Sequence, residues 1–184
     1  MLKRTLVVCV IGLASSLIYA QDQPSGAAPP AATAPAGAPA AAAAPAAGAT
    51  MTPVARADAA PQGSLKNPYK DDDAATVAAG GRLYLNYGCN GCHGGTGGGG
   101  MCPPLTNDTW VYGGDDDTLF RLVAYGSQIL QGKGYSRKAQ ESVVGPMPQM
   151  GLVVKTDDDL WRILAFVRSN YHGAPECKFG CPPQ

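Results

Sequence analysis

Large apolar anchors are scarce in this 184-residue sequence, which has three Phe and two Trp. A domain built from it has little bulky apolar material of its own, so its middle has room for something besides side chains. No sign of charge is in excess, with 14 basic and 14 acidic residues. The strongly basic face that marks a nucleic-acid binder is therefore not expected. The apolar run from Leu6 to Ala20 falls short of the ~20 residues of a spanning helix, and Gly12, Ser15 and Ser16 interrupt it. The glycine-rich stretch from Gly94 to Gly100 lacks the Gly-Lys-Ser/Thr that a phosphate-binding loop needs. It reads instead as a flexible connection.

Lys3 and Arg4 precede the apolar run, and Ala20 supplies a small residue before Gln21. This is the layout of a signal peptide over residues 1–20, which implies export, in bacteria to the periplasm. Kept uncleaved, the same segment would tether the protein to a membrane. Residues 21–64 are mostly Ala, Pro and Gly. Such a stretch buries too little large apolar surface to offset its ordering entropy, so a disordered or extended linker is expected. Residues 65–184 remain, enough for one domain.

Chemistry concentrates in the cysteines at 9, 89, 92, 102, 177 and 181. Cys89-Asn90-Gly91-Cys92-His93 is a C-x-x-C-H motif, the spacing of covalent haem attachment. Two thiols three residues apart reach both vinyl groups of one haem, and the adjacent His presents a ring nitrogen to its iron. A structural zinc site would want four ligands, usually in two pairs, and Cys177 and Cys181 have no His beside them. A thioredoxin-like pair would need a βαβ pattern, which is absent. With Cys9 removed, five cysteines remain. Cys177 and Cys181 are close enough to pair, Cys102 can pair with either, and the sequence does not choose.

A second axial ligand is expected from Met147, in Gly145-Pro146-Met147-Pro148. Flanking prolines stiffen that loop and remove backbone donors. Met150 is the next candidate and Met101 the third. His/Met ligation suits electron transfer.

Three aspartate triplets, 71–73, 115–117 and 157–159, each precede a helix-like run. Aspartate there caps free N–H groups and opposes the helix dipole. The runs are Ala74–Tyr87, Thr118–Tyr125 and Leu160–Tyr171, each ending at or near a glycine. In the last run Leu160, Ile163, Leu164 and Val167 form one apolar face. The pattern predicts an all-α domain.

Over residues 74–172 the sequence resembles the class I c-type cytochromes. The matches are Cys89-Cys92-His93, Cys102-Pro103-Pro104-Leu105, Met147-Pro148, Gly81 and Leu85 before the motif, and Ile163, Ala165 and Phe166 near the end. The resemblance implies helices wrapped around one covalent haem c. It implies that the Pro103 carbonyl accepts the His93 ring N–H and that Met147 binds the iron. It also implies a helix contact made through Gly81 and Leu85. Cys102 stands where the family usually has glycine. Asn107 to Tyr112 and Asp117 to Phe120 resemble cytochromes that accept electrons from periplasmic quinoprotein alcohol dehydrogenases.

The resulting expectation is an electron carrier, not an enzyme, taking electrons from a dehydrogenase and passing them to an oxidase or another cytochrome. A fixed haem subunit of a larger complex is one alternative. A haem enzyme or gas sensor with an open iron, with His172 or Arg137 lining its pocket, is the other. Trp110 has two roles open to it, core packing or a hydrogen bond to a haem propionate. His172 reads as a surface residue. Residues 127–145, with Lys133, Arg137 and Lys138 against Glu141, read as a solvated insertion or a basic docking patch.

Overall fold

The computed structural model describes residues 50–106, 108, 110–139 and 145–180. Among them, regular structure is entirely helical: α1 (Pro53–Ala59), α2 (Ala74–Asn86), α3 (Asn90–His93), α4 (Asp116–Gly132) and α5 (Asp157–Ser169). Short 3-10 turns lie at Met150–Leu152 and Pro175–Cys177. This is the all-α architecture that the sequence pattern implies.

Two helix starts are aspartate caps. Asp73 accepts from the N–H groups of Ala75 and Thr76 at 2.9 and 3.3 Å. Asp115 accepts from Thr118 N–H at 2.9 Å. The third cap is Thr156, which accepts from Asp159 N–H at 3.1 Å. Asp157, Asp158 and Asp159 then fill the first turn of α5, where their charge opposes the dipole. The helix expected over Thr118–Tyr125 runs on to Gly132 and is broken, not ended, at Gly126.

Helices α2 and α5 form the most extensive helix pair. A Cβ at Gly80 would lie 2.0 Å from the Arg162 carbonyl oxygen, so the two backbones touch there. One turn on, Tyr84 is buried and its ring packs on Phe166 with centroids 5.1 Å apart. Gly80 and Tyr84 meet Arg162 and Phe166, each pair four residues apart and so on one helical stripe. This corrects the family-based expectation by one residue. Gly81 sits beside the Phe166 ring, but Leu85 is 50% exposed. Gly80→Ala is expected to cost about 1–3 kcal/mol or more, as overpacking does, read as a lower urea midpoint. Gly81→Ala meets only a ring edge at 3.2 Å and is expected to cost less.

The rest of the core includes Leu119, Phe120, Leu130, Leu160, Trp161, Ile163, Leu164 and Val167. The Phe120 and Trp161 rings lie 4.2 Å apart. The apolar face predicted for α5 is thus buried.

The expected linker needs correcting over its last residues. Thr52 accepts from Ala55 N–H at 3.2 Å, Pro53 opens α1, and Pro53 and Ala57 are buried. Arg121 of α4 donates to the carbonyls of Ala57 at 2.5 Å and of Ala60 and Pro61 at 2.9 Å each. Asp157 accepts from Met51 N–H at 3.0 Å and from Arg56 Nε at 2.6 Å. Polar contacts to distant residues add to the packing of Pro53, Val54 and Ala57. The leader and the remainder of the expected linker lie outside the described residues. No helix among the described residues is long and apolar enough to cross a membrane.

Candidate functional site

The C-x-x-C-H motif forms α3 directly after α2. Cys89 N–H donates to Tyr84 O at 3.1 Å and His93 N–H to Cys89 O at 3.0 Å. Both thiols and His93 therefore leave one tight turn. Cys89, Cys92 and Cys102 are free thiols, and burial pushes Cys89 above its ordinary value. The Tyr84 hydroxyl is pushed up to about 12 by burial and then by the neighbouring Cys89 and Cys92. It stays protonated and donates to Gly94 O at 2.7 Å.

The glycine run folds back onto this turn. Gly99 N–H donates to His93 O at 2.8 Å, and Cys102 N–H to Cys92 O at 3.0 Å. At Gly94, φ is +80° and a Cβ would lie 2.5 Å from Gly99 O, so only glycine fits. The return places Pro103 O 2.8 Å from His93 Nδ1. A carbonyl only accepts, so Nδ1 carries a proton, and in the neutral ring Nε2 is the nitrogen with the lone pair. Among the described residues no side-chain-bearing position has positive φ, so Cys102 replaces the usual glycine without strain.

Met147 lies half-buried in a loop against the break in α4. Its N–H donates to Ser127 Oγ at 3.0 Å, and its carbonyl accepts from Ser127 N–H at 3.0 Å. Met150 opens the following 3-10 turn, and Met101 is 59% exposed. The sequence reading missed Ser127. Its only signal is the glycine before it, which reads as a helix stop.

Trp110 stacks on Tyr171 with centroids 5.4 Å apart. Its Nε1–H is buried and has no partner. His172 is exposed beyond α5. The segment after Ser127 is less a free patch than expected. Lys133 Nζ lies 3.5 Å from Asp58, and Lys138 Nζ lies 4.0 Å from Asp115. Tyr135 donates to buried Asp117 at 2.7 Å. Glu141 lies outside the described residues, as do Asn107 and Thr109 of the dehydrogenase-linked motif. Cys177 is disulfide-bonded. Because Cys102 is free, it does not staple the tail.

The Cytochrome c family matches residues 77–170, just over half of the chain. The chain belongs to this family, as a monohaem class I c-type cytochrome whose cofactor is covalently attached haem c with its iron. It is similar to the cbb3-type cytochrome c oxidase subunit CcoP of Azospirillum sp. (strain B510), 39% identical over 59 residues, 31% of this chain and 20% of that one. The corresponding subunit of Azospirillum brasilense is 35% identical over 65 residues, 34% and 22% of the two chains. The chain thus spans about a fifth of the length of these relatives. Cytochrome CL from the marine methylotrophic bacterium Methylophaga aminisulfidivorans MPT is 27% identical, with a TM-score of 0.42 over 59% of this chain and 61% of that one.

The residues present fit the group. Cys89 and Cys92 are free thiols on one turn, His93 has an available Nε2, and Trp110 offers an unpartnered buried donor. Among the described residues these are the groups that would attach haem, bind its iron and meet a carboxylate at its edge.

Proposed function

We propose that this chain is an exported, periplasmic electron carrier in which His93 and Met147 would hold the iron of one haem. It receives electrons from a dehydrogenase and hands them to an oxidase or another cytochrome. The observation behind this reading is the 2.8 Å contact between His93 Nδ1 and Pro103 O. Such a contact would hold the Nδ1–H tautomer and leave the other nitrogen free to bind iron, as outer hydrogen bonds do at metal-bound histidines. Bound haem supplies the one-electron couple between ferrous and ferric iron. The chain's own part is to hold the two ligands, to set the polarity around them and to keep water out. Residues 1–20 act as the export signal. The dehydrogenase as donor is supported by Asp108, Trp110-Val111-Tyr112 and Asp117-Thr118-Leu119-Phe120, the described parts of the motif shared with such acceptors.

The likeness to oxidase subunits favours a second reading, a haem module fixed in a larger complex. Cell fractionation separates the two: a carrier is released with the periplasmic fraction and elutes alone, and a fixed module stays with the membranes and co-elutes with its complex after detergent extraction.

Visible spectra of the haem-loaded protein, oxidised and reduced, with and without carbon monoxide, test the ligation. The expected result is the weak long-wavelength sulfur-to-iron band in the oxidised form and a reduced spectrum indifferent to carbon monoxide. A ready shift under carbon monoxide with no sulfur band would replace the carrier by an enzyme or sensor with an open iron.

A further inference from the structure

We propose that Gly126 and Ser127 form a clamp, built into a break in α4, that holds the Met147 loop in ligating position. The inference rests on the reading of Met147 as axial ligand and adds a positioning residue to it. Helix α4 does not end at Gly126. It bends there, with φ +74° and ψ 166°, and resumes to Gly132. A break inside a helix releases backbone groups that an unbroken helix would pair within itself. Here the released Ser127 N–H donates to Met147 O at 3.0 Å, and Ser127 Oγ accepts from Met147 N–H at 3.0 Å. One residue therefore satisfies both backbone polar groups of Met147.

The choice of residues around the contact is restrictive. Pro146 and Pro148 have no N–H, so Met147 carries the only amide donor of the Pro-Met-Pro segment, and the clamp takes it. Gly126 admits no side chain. A Cβ there would lie 2.6 Å from Met147 O, 2.8 Å from Pro148 C and 2.8 Å from Gln149 N, all backbone atoms. Ser127 is buried, so water does not readily replace its hydroxyl. The loop is seated again four residues beyond Met147. A Cβ at Gly151 would lie 2.5 Å from Ala124 O and 2.9 Å from Val54 Cγ2. Helix α4 before its break and α1 thus fix the far end of the loop, and Ser127 fixes the ligand itself.

The test compares haem-loaded wild type, Ser127→Ala, Ser127→Thr and Met147→Ala. Ser127→Ala keeps the backbone donor and removes the acceptor from Met147 N–H. The population with the thioether off the iron is expected to rise about tenfold, the scale of one buried hydrogen bond. Reduced protein would then take up carbon monoxide correspondingly more readily. In guanidinium the sulfur-to-iron band would vanish at a lower midpoint than the far-UV circular dichroism. Ser127→Thr keeps the hydroxyl and is expected to restore both readouts. A merely structural serine would shift both midpoints together and leave carbon monoxide uptake unchanged, and that result overturns the clamp. If Met147→Ala retains the band, the ligand reading fails and the clamp fails with it. If Met147→Ala loses the band while Ser127→Ala behaves as wild type, the clamp alone fails.

Discussion

Replacing Arg121 with methionine is expected to lower the unfolding free energy by about 3–5 kcal/mol, the cost of stranding one member of a buried ion pair. That is a large share of the ~5–15 kcal/mol that holds an ordinary domain folded. The Arg121 and Asp117 side chains are 6% and 3% exposed, with Nε and Oδ2 2.9 Å apart. Burial alone would raise the Asp117 pKa. The bonds from Arg121, Tyr135 and the N–H groups of Gly63 and Leu65 outweigh it, and the carboxyl is held below the usual range. The sign of the pH dependence follows. A carboxyl with a depressed folded pKa contributes fully above its unfolded value of ~3.9 and loses that contribution as pH falls through the folded value. The gap in urea midpoint between wild type and Asp117→Asn is therefore expected to be constant from pH 7 down to about pH 5 and to close below about pH 4. Equal gaps at pH 3 and pH 7 would remove Asp117 from the acid transition. Lys133→Ala is the contrasting case. Its pair with Asp58 is exposed on both sides, and a change within about 0.5 kcal/mol is expected.

Arg121 also shows why part of the fold was not legible in the sequence. Ala-Pro composition correctly says that residues 50–64 have few large apolar side chains, Met51 and Val54 among them. It says nothing of carbonyls that an arginine 60 positions later comes to hold. The local signals were present: Thr52 before Pro53 is a cap followed by a favoured first residue. Helix α2 was legible because its Asp73 cap and the glycine after it agree, and α5 because its acidic first turn and apolar stripe agree. The further roles of the aspartates were not. Tyr87 donates to Asp159 at 2.7 Å, Asp158 bonds Tyr69, and Asp116 pairs with Arg168. Each partner lies 50 to 90 residues away, beyond the reach of periodicity. At the site, a motif five residues long announced α3. Ser127 had no motif, because its role arises only when a helix breaks beside a loop 20 residues downstream.

Met147→Ala is expected to leave the helices intact and to change the iron. Met147 is half-buried in a loop, outside the cluster built from α2, α4 and α5, so the far-UV spectrum and its thermal midpoint are expected to move little. The sulfur-to-iron band would be lost, and reduced protein would bind carbon monoxide at one per haem. The midpoint potential would fall, because a thioether favours ferrous over ferric iron. For a one-electron couple the fall is about 59 mV for each tenfold of that preference. Met101→Leu and Met150→Leu serve as controls. Met101 is 59% exposed, and Met150 opens a 3-10 turn whose next residue, Gly151, is pressed against Ala124. Neither change is expected to alter the band. Loss of the band in Met150→Leu with its retention in Met147→Ala would move the ligand three residues along the chain. Ser127 would then grip a neighbour of the ligand rather than the ligand itself. Retention in all three variants would mean that no methionine of this loop reaches the iron.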